Sequence, residues 1–112
     1  MKNIEELSKE LGYSVFSMEE AGAIILDGYT SDLLSDVMGN ASEDCALITI
    51  QAHKNTVAVA SLIGIRAIIL CNGRTPASDM VEAAAREKIA LLGTEENQFT
   101  VSFRLAQALG KV

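Results

Sequence analysis

Tryptophan is absent from this chain of 112 residues, and aromatic residues make up only 4% of it. This shortage argues against the aromatic stacking platforms that bind single-stranded nucleic acid. The formal charge of −6 argues against the other usual contact, because binding a phosphate backbone requires clustered Lys and Arg. We therefore expect no nucleic-acid partner.

Cysteine and histidine are also scarce, with two Cys and one His in the chain. Cys45 and Cys71 both lie in apolar, strand-like runs, and neither belongs to a Cys-x-x-Cys pair. The ligand spacing of a structural zinc site is missing. We interpret both residues as buried, reduced thiols of a cytoplasmic protein rather than as a disulfide. The sequence predicts no metal site and no cofactor.

Long apolar runs are missing as well, and none approaches the roughly 18 residues of a membrane span. The first twelve residues, MKNIEELSKELG, predict an acidic amphipathic helix rather than the apolar centre of a signal peptide. We expect no membrane contact and a cytoplasmic location. The usual motifs of phosphate-binding loops, dinucleotide-binding turns, zinc hydrolases and serine hydrolases are absent too. We therefore predict that the protein is not an enzyme and has no catalytic residues.

What the chain does contain is a series of short apolar runs separated by helical stretches. Runs at 46–50 and 67–71 flank a compact helix over 56–63, which is typical of a parallel strand–helix–strand unit. Further strands are predicted at 13–16, 23–26 and 89–92, with the run at 23–26 taken as a buried parallel strand. Residues 1–112 are predicted to form a single compact α/β domain, whose small, mostly parallel sheet of about four to five strands is flanked by helices.

Capping residues and apolar stripes place the other helices. The predicted caps are Asn3 with Glu6 for the first helix, Thr30 or Ser31 for the second, Thr75 with Pro76 for the fourth and Thr94 for the last. The second helix is expected to bury Leu33, Leu34, Val37 and Met38. The fourth is expected to bury Met80, Val81, Ala84 and Ala85, and the last Phe99, Phe103, Ala106 and Leu109.

The helix over 56–63 has hardly any polar face, which is unusual for a surface helix. A domain of this size has little material to cover a helix on both sides. We infer that a second subunit covers its outer face, most simply in a two-fold homodimer. The alternative is that the first or last helix of the same chain covers it.

Four predicted strands end in polar turns, and in a parallel sheet these turns meet at one edge. Helix amino ends at such an edge offer N–H groups and partial positive charge to phosphate or carboxylate, and Lys54 and Arg74 add charge. The candidate ligand-binding residues are Gly28, Tyr29, Asp32, Ser35, Gln51, His53, Asn55, Asn72, Gly73 and Arg74. The alternative is that they are ordinary caps and turns, which use the same residue types.

His53 is the lone histidine and invites a role as a base near neutral pH. Asp32, Ser35 and Asp36 are the only partners that we can suggest, and no spacing places them beside it. A hydrogen-bonded turn histidine is the alternative that we favour. Asp32 and Asp36, one helical turn apart, could hold a divalent cation, but a solvated helix face explains them as well.

Two stretches carry a family resemblance: GYTSDLLSDVM at 28–38, and ITIQAH at 48–53 followed by Asn55 and VAVAS at 57–61. With them, nearly the whole chain resembles the stand-alone DRTGG-domain proteins of bacteria and archaea. At the place of the signature that names this family the chain reads ILDGY at 25–29, where only Gly28 clearly matches.

The resemblance implies a compact α/β domain, usually dimeric, found alone or as a regulatory insert. Related domains occur in some pyrophosphatases with cystathionine-β-synthase (CBS) domains and beside some phosphate acetyltransferases. The amino-terminal domain of HPr kinase/phosphorylase is also similar, but the kinase domain and its phosphate loop are missing here. We therefore expect a homodimeric regulatory or sensory domain that binds a small anionic ligand, such as a nucleotide or phosphorylated metabolite. The alternative is a protein–protein interaction module without a small-molecule ligand.

Overall fold

Short apolar runs and helices alternate along the chain, as the sequence predicts. The computed structural model describes residues 1–112. Its elements in chain order are β1 (Lys2–Asn3), α1 (Ile4–Leu11), β2 (Ser14–Ser17), β3 (Ile24–Ile25), β4 (Asp27–Thr30), α2 (Leu34–Asn40), β5 (Cys45–Thr49), α3 (Lys54–Ile63), β6 (Ala67–Leu70), α4 (Ser78–Glu87), β7 (Ala90–Gly93) and α5 (Gln98–Ala108).

The main sheet has five strands in the order β2-β7-β6-β5-β4. Strands β4 to β7 are parallel to their neighbours, and β2 joins the edge antiparallel to β7. The predicted fold class, an α/β domain with a small, mostly parallel sheet flanked by helices, is confirmed. A separate pair of short antiparallel strands, β1 and β3, lies beside it.

The sheet separates two apolar cores, because alternate residues of a strand point to opposite faces. On one face, Ile48 and Ile69 pack with residues of α1 and α5. On the other face, Leu47 and Ile68 pack with residues of α2, α3 and α4. Helices therefore cover both faces of the parallel strands, as continuous apolar runs such as these require.

The parallel strands cross the sheet without reversing direction. Strands β4, β5, β6 and β7 are successive neighbours in chain order. Ligand crevices in open α/β sheets form where the strand order reverses, and this sheet has no such switch point within its parallel part. A ligand at the carboxyl edge would therefore contact the loops and the helix amino ends themselves.

The first helix forms as its sequence predicts. The side chain of Asn3 accepts a hydrogen bond from the Glu6 backbone at 2.8 Å, and the Glu6 side chain accepts one from the Asn3 backbone at 2.9 Å. Gly12 ends the helix in the left-handed conformation, with φ of 73°. The two thiols are also as predicted, since Cys45 and Cys71 are free and buried.

The strand predicted at 23–26 is wrong in its pairing. Only Ile24–Ile25 is extended there, and it pairs antiparallel with β1 outside the main sheet. The parallel strand is β4, formed by residues that the sequence assigns to the following turn. Strand β4 lies at the sheet edge and passes close to α5. A Cβ on Gly28 would lie only 2.8 Å from Leu105 Cδ2.

Two predicted helix caps are also wrong. Helix α2 begins one turn later than expected, with Leu33 at the cap position, and it buries only Val37. Helix α4 has Ala77 at its cap position and no side-chain cap, so Thr75 and Pro76 lie in the preceding loop. Of its predicted stripe, Met80 and Ala84 are fully buried.

The last helix faces the sheet with a different stripe from the one predicted. Val101, Leu105 and Ala108 point inward, and Asn97 rather than Thr94 provides the cap. Phe99 and Phe103, which were expected inside, are 84% and 54% exposed.

No helix of the structure has both the length and the apolar character needed to cross a membrane.

Candidate functional site

The carboxyl ends of β5 and β6 bring two loops side by side. Thr49 and Leu70 are register partners at the ends of these strands. Residues 50–53 then lead into α3, and residues 71–77 lead into α4. The Cys71 backbone N–H donates to the Thr49 carbonyl at 3.0 Å, which fixes the starts of the two loops relative to each other.

Side-chain hydrogen bonds hold the loop between β5 and α3. The Gln51 side chain donates to the Asp32 carbonyl at 2.9 Å, and the Gln51 carbonyl accepts from the Thr56 hydroxyl at 2.9 Å. Thr56 is fully buried in the first turn of α3. Gln51 therefore connects this loop to the β4–α2 segment and to α3, which determines where α3 begins.

Helix α3 begins without a side-chain cap. His53 has the extended backbone of a cap residue, with φ of −123° and ψ of 153°, but its side chain makes no capping hydrogen bond. The backbone N–H groups of Lys54 and Asn55 have no acceptor within the protein. Unpaired N–H groups and the helix dipole give this end of α3 partial positive charge. The side chains of all three residues are exposed.

Helix α4 begins in the same way at the neighbouring position. Ala77 cannot cap it, and the N–H groups of Ser78 and Asp79 have no acceptor within the protein. Helices α1 and α5, by contrast, are capped by Asn3 and Asn97. The two uncapped helices are the ones that follow the two adjacent central strands β5 and β6.

The loop between β6 and α4 makes a left-handed turn. Asn72 and Gly73 have φ of 60° and 67°. Their backbone N–H groups donate to the carbonyls of Glu96 and Thr94, both at 2.9 Å. Glu95 packs over the turn, so that a Cβ on Gly73 would lie 2.2 Å from its Oε2. This carboxylate disfavours an anion on the β7 side and leaves the side facing α3 more suitable.

The cations at this edge are unpaired. Lys54 and Arg74 are exposed and form no salt bridge. The lysines and arginines that do form salt bridges are Lys2, Lys9, Arg66, Arg104 and Lys111. The charges of Lys54 and Arg74 are thus available to a ligand, as are the donors of exposed His53.

Asp32 lies at the same edge but is already occupied by protein donors. Its Oδ1 accepts hydrogen bonds from the Thr49 hydroxyl at 2.9 Å, the Ile50 N–H at 2.9 Å and the Gln98 side chain at 3.0 Å. The contribution of Gln98 was missed by the sequence reasoning, because no local pattern relates residues so far apart. Asp32 therefore connects three segments of the fold, and a ligand would have to displace a donor to reach Oδ1.

Three other candidates lie away from the two loops. Gly28 and Tyr29 are within β4, not in a turn after a strand, so their predicted position is wrong. The Tyr29 hydroxyl donates to Asp36 Oδ2 at 2.8 Å. Hydrogen bonds from Ser31, Tyr29 and Asn40 lower the pKa of Asp36, and the bond to Asp36 raises the pKa of Tyr29. Ser35 is exposed on α2 and makes no hydrogen bond through its side chain.

The chemistry that this edge can perform is binding rather than catalysis. No group of three or more His, Cys, Asp or Glu side chains could hold a metal ion. His53 has no hydrogen-bond partner, so no carboxylate orients it as a base. The candidate site therefore consists of Gln51, His53, Asn55, Asn72, Gly73 and Arg74 together with Lys54 and the amino ends of α3 and α4. The ligand-binding role of these residues stays a prediction.

No protein-family model matches this chain, and no curated protein matches it. A solved structure does match: the CBS and DRTGG domains of the regulatory region of Clostridium perfringens pyrophosphatase, complexed with the activator diadenosine tetraphosphate. The TM-score is 0.74 at 17% sequence identity, over 96% of this chain and 47% of that chain. This chain thus spans about half the length of the structure it matches. At this identity the match supports the fold that the sequence resemblance implies.

Proposed function

We propose that this chain is a non-enzymatic, homodimeric regulatory domain of the DRTGG type that binds a small anionic ligand at the carboxyl edge of its sheet. The ligand class is a nucleotide or a phosphorylated metabolite. The observation that carries the proposal is the pair of uncapped helices α3 and α4, which start side by side with free N–H groups. Helix amino ends of this kind bind phosphate readily.

The charges around these helix ends support the same ligand class. Lys54 follows directly on the cap residue of α3, and Arg74 lies in the loop before α4. Both are exposed and have no carboxylate partner, although the chain as a whole carries a charge of −6. Charge-assisted hydrogen bonds from two such cations would favour a ligand with two or more phosphate oxygens.

The matched regulatory region is a protein that binds a nucleotide activator, diadenosine tetraphosphate. We propose a ligand of related chemistry here, on the shared fold together with the free donors. The cytoplasmic location and the absence of nucleic-acid and membrane partners stay predictions from the sequence.

A protein–protein interaction module is the second candidate. It is favoured by Phe99 and Phe103, which lie one turn apart on α5 and are 84% and 54% exposed. Aromatic residues are enriched in protein interfaces, so this stripe would suit a protein partner.

A thermal-shift panel of nucleotides, phosphorylated metabolites and inorganic phosphate tests the proposal. A compound present at about a hundred times its dissociation constant should stabilise the fold by about 2.7 kcal/mol. Arg74→Ala should abolish the shift. Lys9→Ala, which removes a charge from α1 on the other face of the sheet, should not. A panel that stays flat throughout would favour the interaction module instead.

A further inference from the structure

The outward face of α3 is apolar. Val57 and Ala60 point inward and are 1% and 0% exposed. On the opposite side Ala58 is exposed, and Leu62, one turn later, is 74% exposed. Lys54 is the only charged residue in the helix. A helix in contact with water normally carries polar residues on that face, so this one is suited to being covered.

Neither terminal helix of the same chain covers this face. Helices α1 and α5 pack on the opposite face of the sheet, in the other apolar core. The intramolecular alternative that the sequence leaves open is therefore excluded, and the cover must come from another molecule.

A groove lies beside the exposed leucine. It separates α3 from α4 and encloses about 440 Å³, with Val57, Ala58 and Ala83 as its apolar lining. Leu62 lies one helical turn beyond Ala58, next to this groove. An apolar ridge thus lies beside an apolar groove on the same surface, which is the arrangement that a self-complementary interface requires.

The charges at the two ends of α3 have opposite sign. Lys54 begins the helix and has no ion pair. At the other end, Glu43 packs on Gly64, with its Cγ 3.3 Å from where a Cβ on Gly64 would lie. Glu43 is exposed and has no ion pair either. Two α3 helices placed antiparallel would therefore bring each free lysine towards a free glutamate.

We infer that a second copy of this chain covers the face, with α3 packed antiparallel to the partner's α3 across a two-fold axis between Ala58 and Leu62. Each Leu62 enters the groove of the other subunit, and each Lys54 faces the partner's Glu43. The inference rests on the homodimer within the proposed function and specifies its interface.

Sedimentation equilibrium of the purified chain tests the apolar part of this interface. The wild-type mass should be twice the 11.9 kDa of the chain. Leu62→Glu places a charge in the interface and should weaken dimerisation about a hundredfold or more. Phe99→Glu is the matched control, because Phe99 is equally exposed but lies on the other side of the sheet. A monomeric wild type, or a dimer that dissociates with Phe99→Glu and not with Leu62→Glu, overturns the inference.

A charge swap tests the antiparallel arrangement. Lys54→Glu and Glu43→Lys should each weaken the dimer about tenfold. The double variant should recover it, because the opposite charges then meet again across the interface. Recovery cannot arise within one chain, since the ten residues of α3 keep the two positions about 15 Å apart. Additive losses in the double variant would contradict this pairing.

The same variants separate the interface from the ligand site. Leu62 lies outside the candidate site, so Leu62→Glu should keep the thermal shift of the wild type with diadenosine tetraphosphate or inorganic phosphate. A monomeric wild type with a thermal shift would overturn the interface alone. A dimer that follows the predicted substitutions but gives no shift would overturn the ligand site alone.

Discussion

The Gln98 side chain on α5 donates a hydrogen bond to Oδ1 of Asp32, 3.0 Å away, although 66 positions separate the two residues. Asp32 precedes α2, which lies on the opposite face of the sheet from α5. This contact therefore joins the two helical layers around the end of β5. It makes Asp32 a structural residue, whatever its further role.

Replacing Asp32 by Ala should destabilise the fold by about 2–4 kcal/mol, because three donors lose a charged acceptor and the Ile50 N–H is half-buried. Urea unfolding measures the change. Asp79→Asn is the matched control, since Asp79 is exposed and its side chain makes no hydrogen bond. A loss below about 0.5 kcal/mol for Asp32→Ala would contradict the structural role.

Capping α3 should stabilise the protein and weaken anion binding at once. His53→Ser places a hydroxyl where it can accept from the free N–H groups, which should add about 0.5–2 kcal/mol of stability. The same N–H groups are then no longer available to phosphate. His53→Ala is the control that removes the imidazole without adding a cap. Chemical denaturation and titration with diadenosine tetraphosphate measure the two effects. Equal affinity in the Ser and Ala variants would show that these groups do not bind the ligand.

Gly73 should be more sensitive to alanine than Gly110. Both have positive φ, 67° and 75°, so both variants suffer the backbone cost of about 1–2 kcal/mol. A Cβ on Gly110 meets nothing within 4 Å, whereas one on Gly73 meets the Glu95 carboxylate. We expect an extra loss of about 1 kcal/mol for Gly73→Ala, measured by urea unfolding.

The extra loss has a direct check in a second background. Glu95→Ala removes the carboxylate, so the two glycine substitutions should then cost similar amounts. If the difference between them persists without Glu95, the steric explanation is wrong.

The buried thiols should make the fold less stable in alkali. Burial raises the pKa of Cys45 and Cys71 from 9.0 to about 11. Above pH 9 the unfolded chain loses thiol protons that the folded chain keeps, so folding stability falls as pH rises towards 11. Each thiol contributes a slope of about 1.4 kcal/mol per pH unit in this window.

Urea midpoints measured between pH 8 and pH 11 test this slope. Cys45→Ala and Cys71→Ala should each reduce it, even though either variant is less stable overall because it leaves a cavity. A slope equal to that of the wild type in both variants would mean that the thiols are not responsible.

The sequence predicts the central strands well, because β5, β6 and β7 are buried on both faces and read as continuous apolar runs. It fails at the edge. Strand β4 has a neighbour on one side only, so polar Asp27 and Thr30 are tolerated there and mimic a turn. The more apolar segment 23–26 joins the small sheet instead.

Helix α5 shows a second limit. It carries two apolar stripes, one with Phe99 and Phe103 and one with Val101 and Leu105, and periodicity alone cannot say which faces the sheet. The close approach of Leu105 to Gly28 in β4 is consistent with the second. That contact depends on the tertiary fold and has no local signature.

The candidate site is predictable in part. The sequence identifies the loops after β5 and β6, because polar residues there follow apolar runs. It does not reveal that α3 and α4 lack caps, since His53 and Thr75 both precede helices plausibly. It also cannot show that Asp32 is occupied, because Gln98 comes from a distant helix.

The most direct test of the account is a two-dimensional amide NMR titration of the isotopically labelled chain with diadenosine tetraphosphate. The account predicts saturable shifts that are largest at the amides of Lys54, Asn55, Ser78 and Asp79, with smaller changes at Arg74. The same titration of Arg74→Ala should show weaker binding at the same amides. Shifts confined to the Phe99 and Phe103 side of α5, or no saturable shift with this ligand or any phosphate compound of the thermal-shift panel, would contradict a ligand site at the carboxyl edge of the sheet.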